Sequence, residues 1–213
     1  FIEIKQKLPD VLLLSVGGED SLAIPFLNTI QKYDKSDIST PVAGRSMLYT
    51  SGTTGRPKGV FRKENPPPSK TEQLTLETAA FDPELDFSIC PGPAYHAAPL
   101  GLNINPSLMA GVGVYLMDKW DAETMLSLIS EYKCTHTHMV ATMFHRILRL
   151  PNETRSKYDI SSMRWILHGA APCPVEVKQA MIDWMGPIVY EYYAATEGGG
   201  CFIQPEEWLK KPG

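Results

Sequence analysis

The chain alternates between short apolar runs and longer segments whose apolar residues recur at helical spacing. Runs of this length predict strands buried in a parallel sheet, and apolar residues three or four positions apart predict helices. The predicted strands are 11–16, 46–49, 111–117, 138–140, 165–167 and 188–190. The predicted helices are 25–33, 71–80, 122–132, 143–150 and 175–184.

This alternation predicts the fold class. Strands that alternate with helices form a mostly parallel, doubly wound α/β sheet with helices on both faces. Ligands bind such sheets beyond the carboxyl ends of the strands, so residues that follow the predicted strands are the first candidates for a site. Asp121, which precedes the predicted helix 122–132, has a side chain typical of a helix N-cap.

Composition and charge narrow the classes of partner. The 213 residues include 20 basic and 24 acidic ones, a net charge of −4, without a basic stripe that would favour nucleic acid. No apolar run approaches the roughly 20 residues of a transmembrane helix, and the cysteines form no CxxC pair. We therefore expect a soluble, cytoplasmic protein with small-molecule partners. Because the chain begins with Phe1, we also expect an excerpt of a longer protein.

A loop rich in glycine and hydroxyl side chains follows the predicted strand 46–49. The loop 50–59 has the sequence TSGTTGRPKG. Glycines let the backbone approach phosphate oxygens, hydroxyl and backbone N–H groups donate hydrogen bonds, and the ammonium group of Lys58 offsets negative charge. The alternative is a surface turn without a ligand. Such a long run of these residues after an apolar strand favours a polyphosphate site.

The loop departs from the Walker A motif GxxxxGK[ST]. Gly52 and Lys58 have the required separation, but Pro57 stands in place of the second glycine. Gly59 stands in place of the magnesium-binding hydroxyl residue. One backbone donor and one metal ligand are therefore missing, which argues against a P-loop kinase or ATPase.

The segment 49–60, YTSGTTGRPKGV, resembles the signature loop of the adenylate-forming (AMP-binding) superfamily. That family includes acyl-CoA synthetases, aryl-CoA ligases, luciferases and peptide-synthetase adenylation domains. The resemblance implies that the loop binds ATP, that Lys58 takes part in catalysis and that Thr50 lies near Mg²⁺. The loop residues that it assigns to ATP are Thr50, Ser51, Gly52, Thr53, Thr54, Gly55 and Lys58.

The segment 93–101 resembles the family's aromatic-or-histidine segment. It contains His96, which the resemblance places near the substrate carboxylate and in the lining of the acyl pocket, as a catalytic residue. Considered alone, a histidine among small apolar residues is more often a hydrogen-bonded structural residue. Its position after the phosphate loop favours the functional role.

A turn that follows the predicted strand 165–167 is similar to the family's GGAP turn. Ala170 stands in place of the second glycine, and the backbone is implied to form one wall of the adenine site. The alternative is a plain strand-to-helix turn. The residues that the resemblance assigns to ATP here are Gly169, Ala170, Ala171 and Pro172.

The segment 191–197, EYYAATE, resembles the YGxTE motif with Ala194 in place of glycine. The resemblance implies that Tyr193 stacks on adenine, that Thr196 bonds the α-phosphate or the substrate carboxylate, and that Glu197 binds Mg²⁺, which prefers oxygen ligands. Thr196 and Glu197 are thereby also catalytic. Without the resemblance, the segment would be an acidic turn with flexible glycines. The residues assigned to ATP are Glu191, Tyr192, Tyr193 and Thr196.

A pair of histidines offers a competing metal site. His136 and His138 lie on one face of a predicted strand, but no third ligand is spaced to complete a zinc site. We expect a structural or pocket-lining role for both.

The resemblance implies the reaction of an AMP-forming acid–thiol ligase, an acyl-CoA synthetase. A fatty or other hydrophobic carboxylic acid attacks the α-phosphate of ATP to give acyl-AMP and pyrophosphate, and a thioester with coenzyme A follows. Mg²⁺ lowers the repulsion between the two anions. The alternatives are an adenylation domain that loads a carrier protein and a non-catalytic nucleotide-binding module. The chain is also compatible with a homo-oligomer.

The resemblance covers 1–213 as part of an adenylation domain. The chain lacks the family's ribose-binding aspartate motif, its hinge and the small C-terminal domain whose lysine serves adenylation. We therefore expect the isolated chain to show little or no ligase turnover.

Overall fold

The structure is a computed structural model of the chain. It describes residues 2–18, 21–37, 39–41, 47–50, 55–61, 70–196 and 198–213. These residues form two compact units, Phe1–Gly44 and Arg45–Gly213.

The first unit holds two short strands and two short helices. Its elements are α1 (Ile2–Lys7), β1 (Leu14–Ser15), β2 (Ile24–Pro25) and α2 (Phe26–Ile30). β1 and β2 pair in parallel, so the predicted strand 11–16 exists in a shorter form. Its predicted burial is wrong: Leu12 is 65% and Val16 74% exposed. A two-stranded sheet lacks the layers on both faces that bury the strands of a larger parallel sheet.

The second unit begins with a hairpin and a helix. β3 (Leu48–Thr50) pairs antiparallel with β4 (Lys58–Val60). The predicted strand before the glycine-rich loop is thus confirmed. α3 (Lys70–Ala79) agrees with the predicted helix 71–80 and ends where Ala80 adopts a φ of 46°.

A six-stranded sheet forms the centre of this unit, in the order β10-β9-β8-β7-β5-β6. All neighbouring strands are parallel except β9 and β10, which are antiparallel. The strands are β5 (Phe87–Cys90), β6 (Gly113–Leu116), β7 (His136–Met139), β8 (Trp165–His168), β9 (Val189–Ala195) and β10 (Gly198–Ile203). The predicted fold class is confirmed.

Helices connect the strands and cover both faces of the sheet. Asp121 caps α6 by accepting a hydrogen bond from the Thr124 amide at 2.9 Å, as the sequence predicts. The elements are α4 (Ala97–Pro99), a π-helix (Leu100–Ile104), α5 (Asn105–Met109), α6 (Ala122–Tyr132), α7 (Ala141–Leu148), α8 (Asn152–Arg155), α9 (Val175–Met185) and α10 (Pro205–Lys210). Among the described helices, none is long and apolar enough to cross a membrane.

The two faces of the sheet have separate hydrophobic cores. On the first face, Met125 of α6, Phe144 of α7 and Met181 of α9 are fully buried and pack in one cluster. On the second face, Trp165 and Leu167 of β8 pack with side chains of α3 and of the π-helix. Alternate residues of β8 thus enter opposite cores, which explains why the strand is apolar throughout.

The amino edge of the sheet carries a buried polar cluster. His136 Nε2 lies 2.7 Å from the Ala79 carbonyl, which ties the end of α3 to β7. Asp86 is 7% exposed and accepts from the Asp82 amide at 2.7 Å and from Arg164 Nε at 3.1 Å. Within the described ranges, no group of three possible metal ligands occurs. The contact of His136 with Ala79 agrees with the structural alternative of the expected structural or pocket-lining role.

Replacing Asp86 by Asn is expected to destabilise the protein by about 2 kcal/mol, because Arg164 loses its charged acceptor. Burial opposes ionisation of Asp86, but hydrogen bonds from Asp82 and Arg164 hold its pKa below the usual value. A carboxyl group whose pKa is lower in the folded than in the unfolded protein stabilises the fold at pH values above its unfolded pKa. This stabilisation is lost as the pH falls through the pKa of the folded state. Urea unfolding should therefore show a smaller difference in the free energy of unfolding between wild type and Asp86→Asn at pH 3 than at pH 7.

A matched control is Asp183→Asn, which removes a carboxylate that accepts from Gln179 on the surface of α9 at 2.9 Å. The free energy of unfolding of this variant should stay within about 0.5 kcal/mol of wild type. Equal effects of the two variants would contradict the role of Asp86.

Candidate active site

The carboxyl edge of the sheet contains a topological switch point. The connection after β5 runs through the π-helix on the second face, whereas the connection after β7 runs through α7 on the first face. Neighbouring strands whose connections leave to opposite faces open a crevice between their carboxyl ends. Three of the motif segments follow strands at this edge. They contain His96 after β5, Gly169 after β8 and Thr196 after β9.

His96 occupies the N-cap position of α4, with φ −91° and ψ 144°. Its side chain is exposed and Ala97 and Ala98 beside it are half-buried. The π-helix begins one turn later, a distortion that is frequent at functional sites. The predicted position of His96 in an open site is therefore compatible with the structure, and its role stays a prediction.

His138 and Tyr192 form a buried neutral pair on the second face. His138 Nε2 lies 3.0 Å from the Tyr192 hydroxyl. Burial and the nearby His96 lower the pKa of His138 to about 4, and burial raises the pKa of Tyr192 to about 12. Tyr192 is only 5% exposed. Its predicted part in nucleotide binding can only involve its backbone, because its ring lies in the core.

The turn after β8 approaches β9 so closely that it requires glycine. A Cβ atom on Gly169 would lie 2.5 Å from the Tyr192 carbonyl oxygen and 2.5 Å from its ring. The next residue, Ala170, has a φ of 67°, in the left-handed region that favours glycine. The backbone of this turn is thus fixed by its contact with the motif strand β9.

Replacing Ala170 by Gly is expected to stabilise the protein by about 1 kcal/mol, because alanine is strained at this positive φ. Urea unfolding measures the effect. The same change at Ala180, inside α9, should destabilise by about 1 kcal/mol. A loss of stability from Ala170→Gly would show that the turn is not strained.

The segment 191–196 forms the end of a strand and the turn after it. β9 runs to Ala195, and Tyr193 on it is 78% exposed, with its ring free to meet a planar ligand. The register of β9 and β10 shifts between Gly198 and Cys201, an irregularity typical of active-site surroundings. Thr196 lies in the turn and is half-buried. Glu197 lies outside the described residues.

The hairpin β3–β4 brings the two ends of the glycine-rich loop together. Thr50 and Lys58 are paired residues of the hairpin, and the Thr50 hydroxyl donates to the Lys58 carbonyl at 3.4 Å. The Lys58 side chain is exposed, and Gly55 has a φ of 81°. The predicted phosphate ligands 51–54 lie outside the described residues.

A buried lysine that the sequence analysis did not identify lies next to these segments. Lys178 of α9 donates to Glu191 Oε2 at 2.7 Å. The same oxygen lies 3.7 Å from His168 Nε2. Glu191 was predicted to bind ATP, but here its carboxylate is paired with a lysine. A signal was present in the sequence, since Lys178 has helical spacing with the buried Met181 and Ile182.

This cluster holds His168 neutral. Burial and the charge of Lys178 lower the pKa of His168 to about 3. Neither ring nitrogen of His168 has a hydrogen-bond partner among the described residues. Burial and the charge of Glu191 also raise the pKa of Cys173, just after the turn, to about 11. The cluster therefore has one cation and one anion.

The switch point, the turn and the motif strand define an α/β protein with a candidate ligand site at the carboxyl edge of its sheet. The family model of AMP-binding enzymes matches residues 12–213, and the chain belongs to this family. A 4-coumarate–CoA ligase from Pinus taeda is 27% identical over 213 residues, 95% of this chain and 39% of its own. A feruloyl-CoA synthase from Amycolatopsis is 31% identical over 151 residues, 71% of this chain and 30% of its own.

Solved structures agree with this assignment. The inhibitor-bound N-terminal domain of FACL13 from Mycobacterium tuberculosis superposes with a TM-score of 0.63 and 26% sequence identity. The match covers 87% of this chain and 46% of that one. The chain thus spans less than half the length of these relatives.

Proposed function

We propose that this chain provides the ATP site of an enzyme that converts a carboxylic acid to acyl-AMP and then to its coenzyme A thioester. The observation that carries the proposal is the position of three motif segments at the carboxyl edge of the sheet in an AMP-binding fold. They follow β5, β8 and β9 at the carboxyl edge. Relatives named as CoA ligases support the reaction class.

The proposed roles follow from exposure and chemistry. The exposed ring of Tyr193 stacks on adenine beside the turn that begins at Gly169. Backbone N–H groups and hydroxyls of the loop 51–54 bind the phosphates, and the exposed ammonium of Lys58 offsets their charge. Thr196, in the turn after β9, bonds the α-phosphate or the substrate carboxylate. These interactions hold two anions together and stabilise the charge that develops at the α-phosphate.

Mg²⁺ fits the donors that the sequence places here. The Thr50 hydroxyl and the Glu197 carboxylate are oxygen ligands, the kind that this cation prefers. Bound there, the ion would supply further positive charge beside the phosphates. The Thr50 hydroxyl and the Glu197 carboxylate would be the protein's two ligands of the ion.

We propose a hydrophobic acid, fatty or aromatic, as the substrate. His96 is exposed beside small, half-buried alanines, and the nearby buried pair of His138 and Tyr192 is neutral. Neutral and apolar surroundings favour a hydrophobic tail over a charged one. The relatives named for coumarate and ferulate support the aromatic alternative.

ATP–pyrophosphate exchange tests the proposal. The full-length protein is assayed with fatty acids of increasing chain length and with hydroxycinnamic acids, followed by thioester formation with coenzyme A. We expect exchange with at least one hydrophobic acid and thioester only when coenzyme A is added. ATP binding without exchange for any acid would contradict the proposed reaction. Exchange followed by loading of a carrier protein instead of coenzyme A would contradict the proposed acceptor.

A further inference from the structure

A fully buried lysine lies beneath the proposed adenine site. Lys178 has 0% exposure, and its Nζ donates to Glu191 Oε2 at 2.7 Å. The same Nζ lies 4.8 Å from the centroid of the Trp208 ring. Glu191 Oε2 also lies 3.7 Å from His168 Nε2. We call these four residues the Lys178 cluster.

The other three residues of the Lys178 cluster adjoin different segments of the site. His168 is the last residue of β8 and precedes Gly169, where the turn begins. Glu191 lies on β9, two residues before Tyr193. Trp208 belongs to α10, the element that follows β10. Lys178 therefore contacts the motif strand and the last helix directly, and Glu191 brings His168, the residue before the turn, into the same cluster.

Core packing alone does not account for the cluster. Transfer of an ammonium group out of water is unfavourable, and an apolar side chain of similar length would fill the same space without that cost. Burial accordingly lowers the pKa of Lys178, and the hydrogen bond with Glu191 opposes this shift. The hydrogen bond of a buried charged pair forms only in a narrow range of geometries. It therefore fixes the relative position of the two elements that carry the pair more strictly than an apolar contact does.

Direct contact between Lys178 and a nucleotide is excluded by its burial. The side chain is 1% exposed, and its ammonium faces the Glu191 carboxylate and the Trp208 ring. Any effect of Lys178 on a ligand must therefore pass through the residues that it holds.

We propose that Lys178 is a positioning residue of the nucleotide site, which sets the distance between the turn at Gly169 and the strand that carries Tyr193 and Thr196. The proposal rests on the proposed function. Without the cation, the Glu191 carboxylate turns toward water, and the backbone of β9 moves relative to the turn. Small displacements of groups that position a substrate lower the reaction rate strongly, because the reacting atoms must be held in a narrow range of geometries.

The first test separates ATP kinetics from acid kinetics in the full-length protein. Lys178→Met should lower kcat/KM for ATP in pyrophosphate exchange by about 30-fold, the scale expected for a displaced positioning group. The KM for the acid at saturating ATP should stay within about 3-fold of wild type, because most contacts with the acid are proposed at the His96 segment after β5, which Lys178 does not touch. The double variant Lys178→Met with Glu191→Gln should show a similar loss, because the hydrogen-bonded pair that sets the geometry is absent from it as well. Full recovery in the double variant would overturn the proposal, because it would trace the loss to an unpaired buried charge alone.

The control is Lys133→Met, which removes the cation of an exposed ion pair with Asp159 at 2.7 Å. Its kinetics should equal those of wild type. ATP kinetics of Lys178→Met that match this control would overturn the proposal. So would a fall of the apparent kcat in proportion to the loss of folded protein, with both KM values unchanged, because this indicates a purely structural role.

The second test needs no activity, so it separates failure of this inference from failure of the proposed function. Amide hydrogen exchange is measured without ligand on wild type and Lys178→Met. Exchange should rise by about 10-fold or more in 169–172 and 191–196, while α6 keeps its protection. Unchanged amide hydrogen exchange in both segments would contradict the positioning role, whatever the result of the ATP–pyrophosphate assay.

Discussion

Gly169→Ala is expected to lower the free energy of unfolding by about 3 kcal/mol, at the upper end of the cost of overpacking a well-filled site. The added Cβ would lie 2.5 Å from the carbonyl oxygen of Tyr192 and 2.5 Å from its ring. The ring cannot move aside, because it is buried and its hydroxyl is bonded to His138. The turn and β9 would have to separate, and we expect ATP binding to weaken together with stability.

Urea unfolding and a titration with ATP check both effects on the full-length protein. The control is Gly101→Ala in the π-helix, where an added Cβ meets nothing within 4 Å. That variant should be unchanged or more stable by about 0.5 kcal/mol, since alanine favours the helix. A Gly169→Ala protein as stable as its control would show that the turn tolerates the movement.

Glu197→Gln is expected to lower the rate of pyrophosphate exchange by about 100-fold or more, the scale of losing one preorganised electrostatic group. The resemblance to the YGxTE motif assigns this carboxylate to Mg²⁺. An amide keeps the size of the side chain but removes its charge, so the ion would be held less tightly. The loss should shrink as the concentration of Mg²⁺ is raised, which a titration at constant ATP measures.

The control is Glu84→Gln, which makes the same chemical change at an exposed turn before β5. This variant should leave the rate of pyrophosphate exchange unaffected. Near-normal exchange in Glu197→Gln would count against the metal assignment. A fall that does not depend on Mg²⁺ would place Glu197 in the site without a role in holding the ion.

The parts of the fold that depend on local pattern could be predicted from the sequence. The helix after Asp121 has both its apolar stripe and its cap within a few residues, and the structure places it as predicted. β5 was not predicted, although it is central, because Phe87–Cys90 includes a serine and is only four residues long. Its burial depends on pairing with β6 and β7, which are distant in the sequence.

Tertiary pairing also explains two other differences between the predicted and the observed strands. β10 was not predicted, because Gly198–Ile203 begins with three glycines, which are unfavourable in strands. It forms by pairing with β9, which supplies the tertiary context that propensity lacks. The predicted burial of 11–16 failed for the opposite reason: the apolar run is present, but the strand Leu14–Ser15 has only one neighbour.

The candidate site shows a similar division. The motif residues His96, Gly169 and Thr196 were identified by sequence, and the sheet explains why segments so far apart in the chain meet at one edge. The pairing of Lys178 with Glu191 was not predicted, because it joins a helix to the following strand and needs the three-dimensional packing of both. The tight contact of Gly169 with Tyr192 likewise exists only once β8 and β9 are paired.

The parallel arrangement of the sheet also has a consequence for the order in which the chain folds. The Ser88 hydroxyl of β5 donates to the His136 carbonyl of β7, a contact between residues 48 positions apart. Closing a loop of this length costs entropy before any contact compensates for it, so sheets of this kind form slowly. During synthesis, β5 emerges from the ribosome well before β7, and the backbone N–H and C=O groups on the edge that pairs with β7 stay unpaired until then. We expect the second unit to complete its folding only after β9 has been synthesised. Until then, β5 is a segment to which a chaperone could bind.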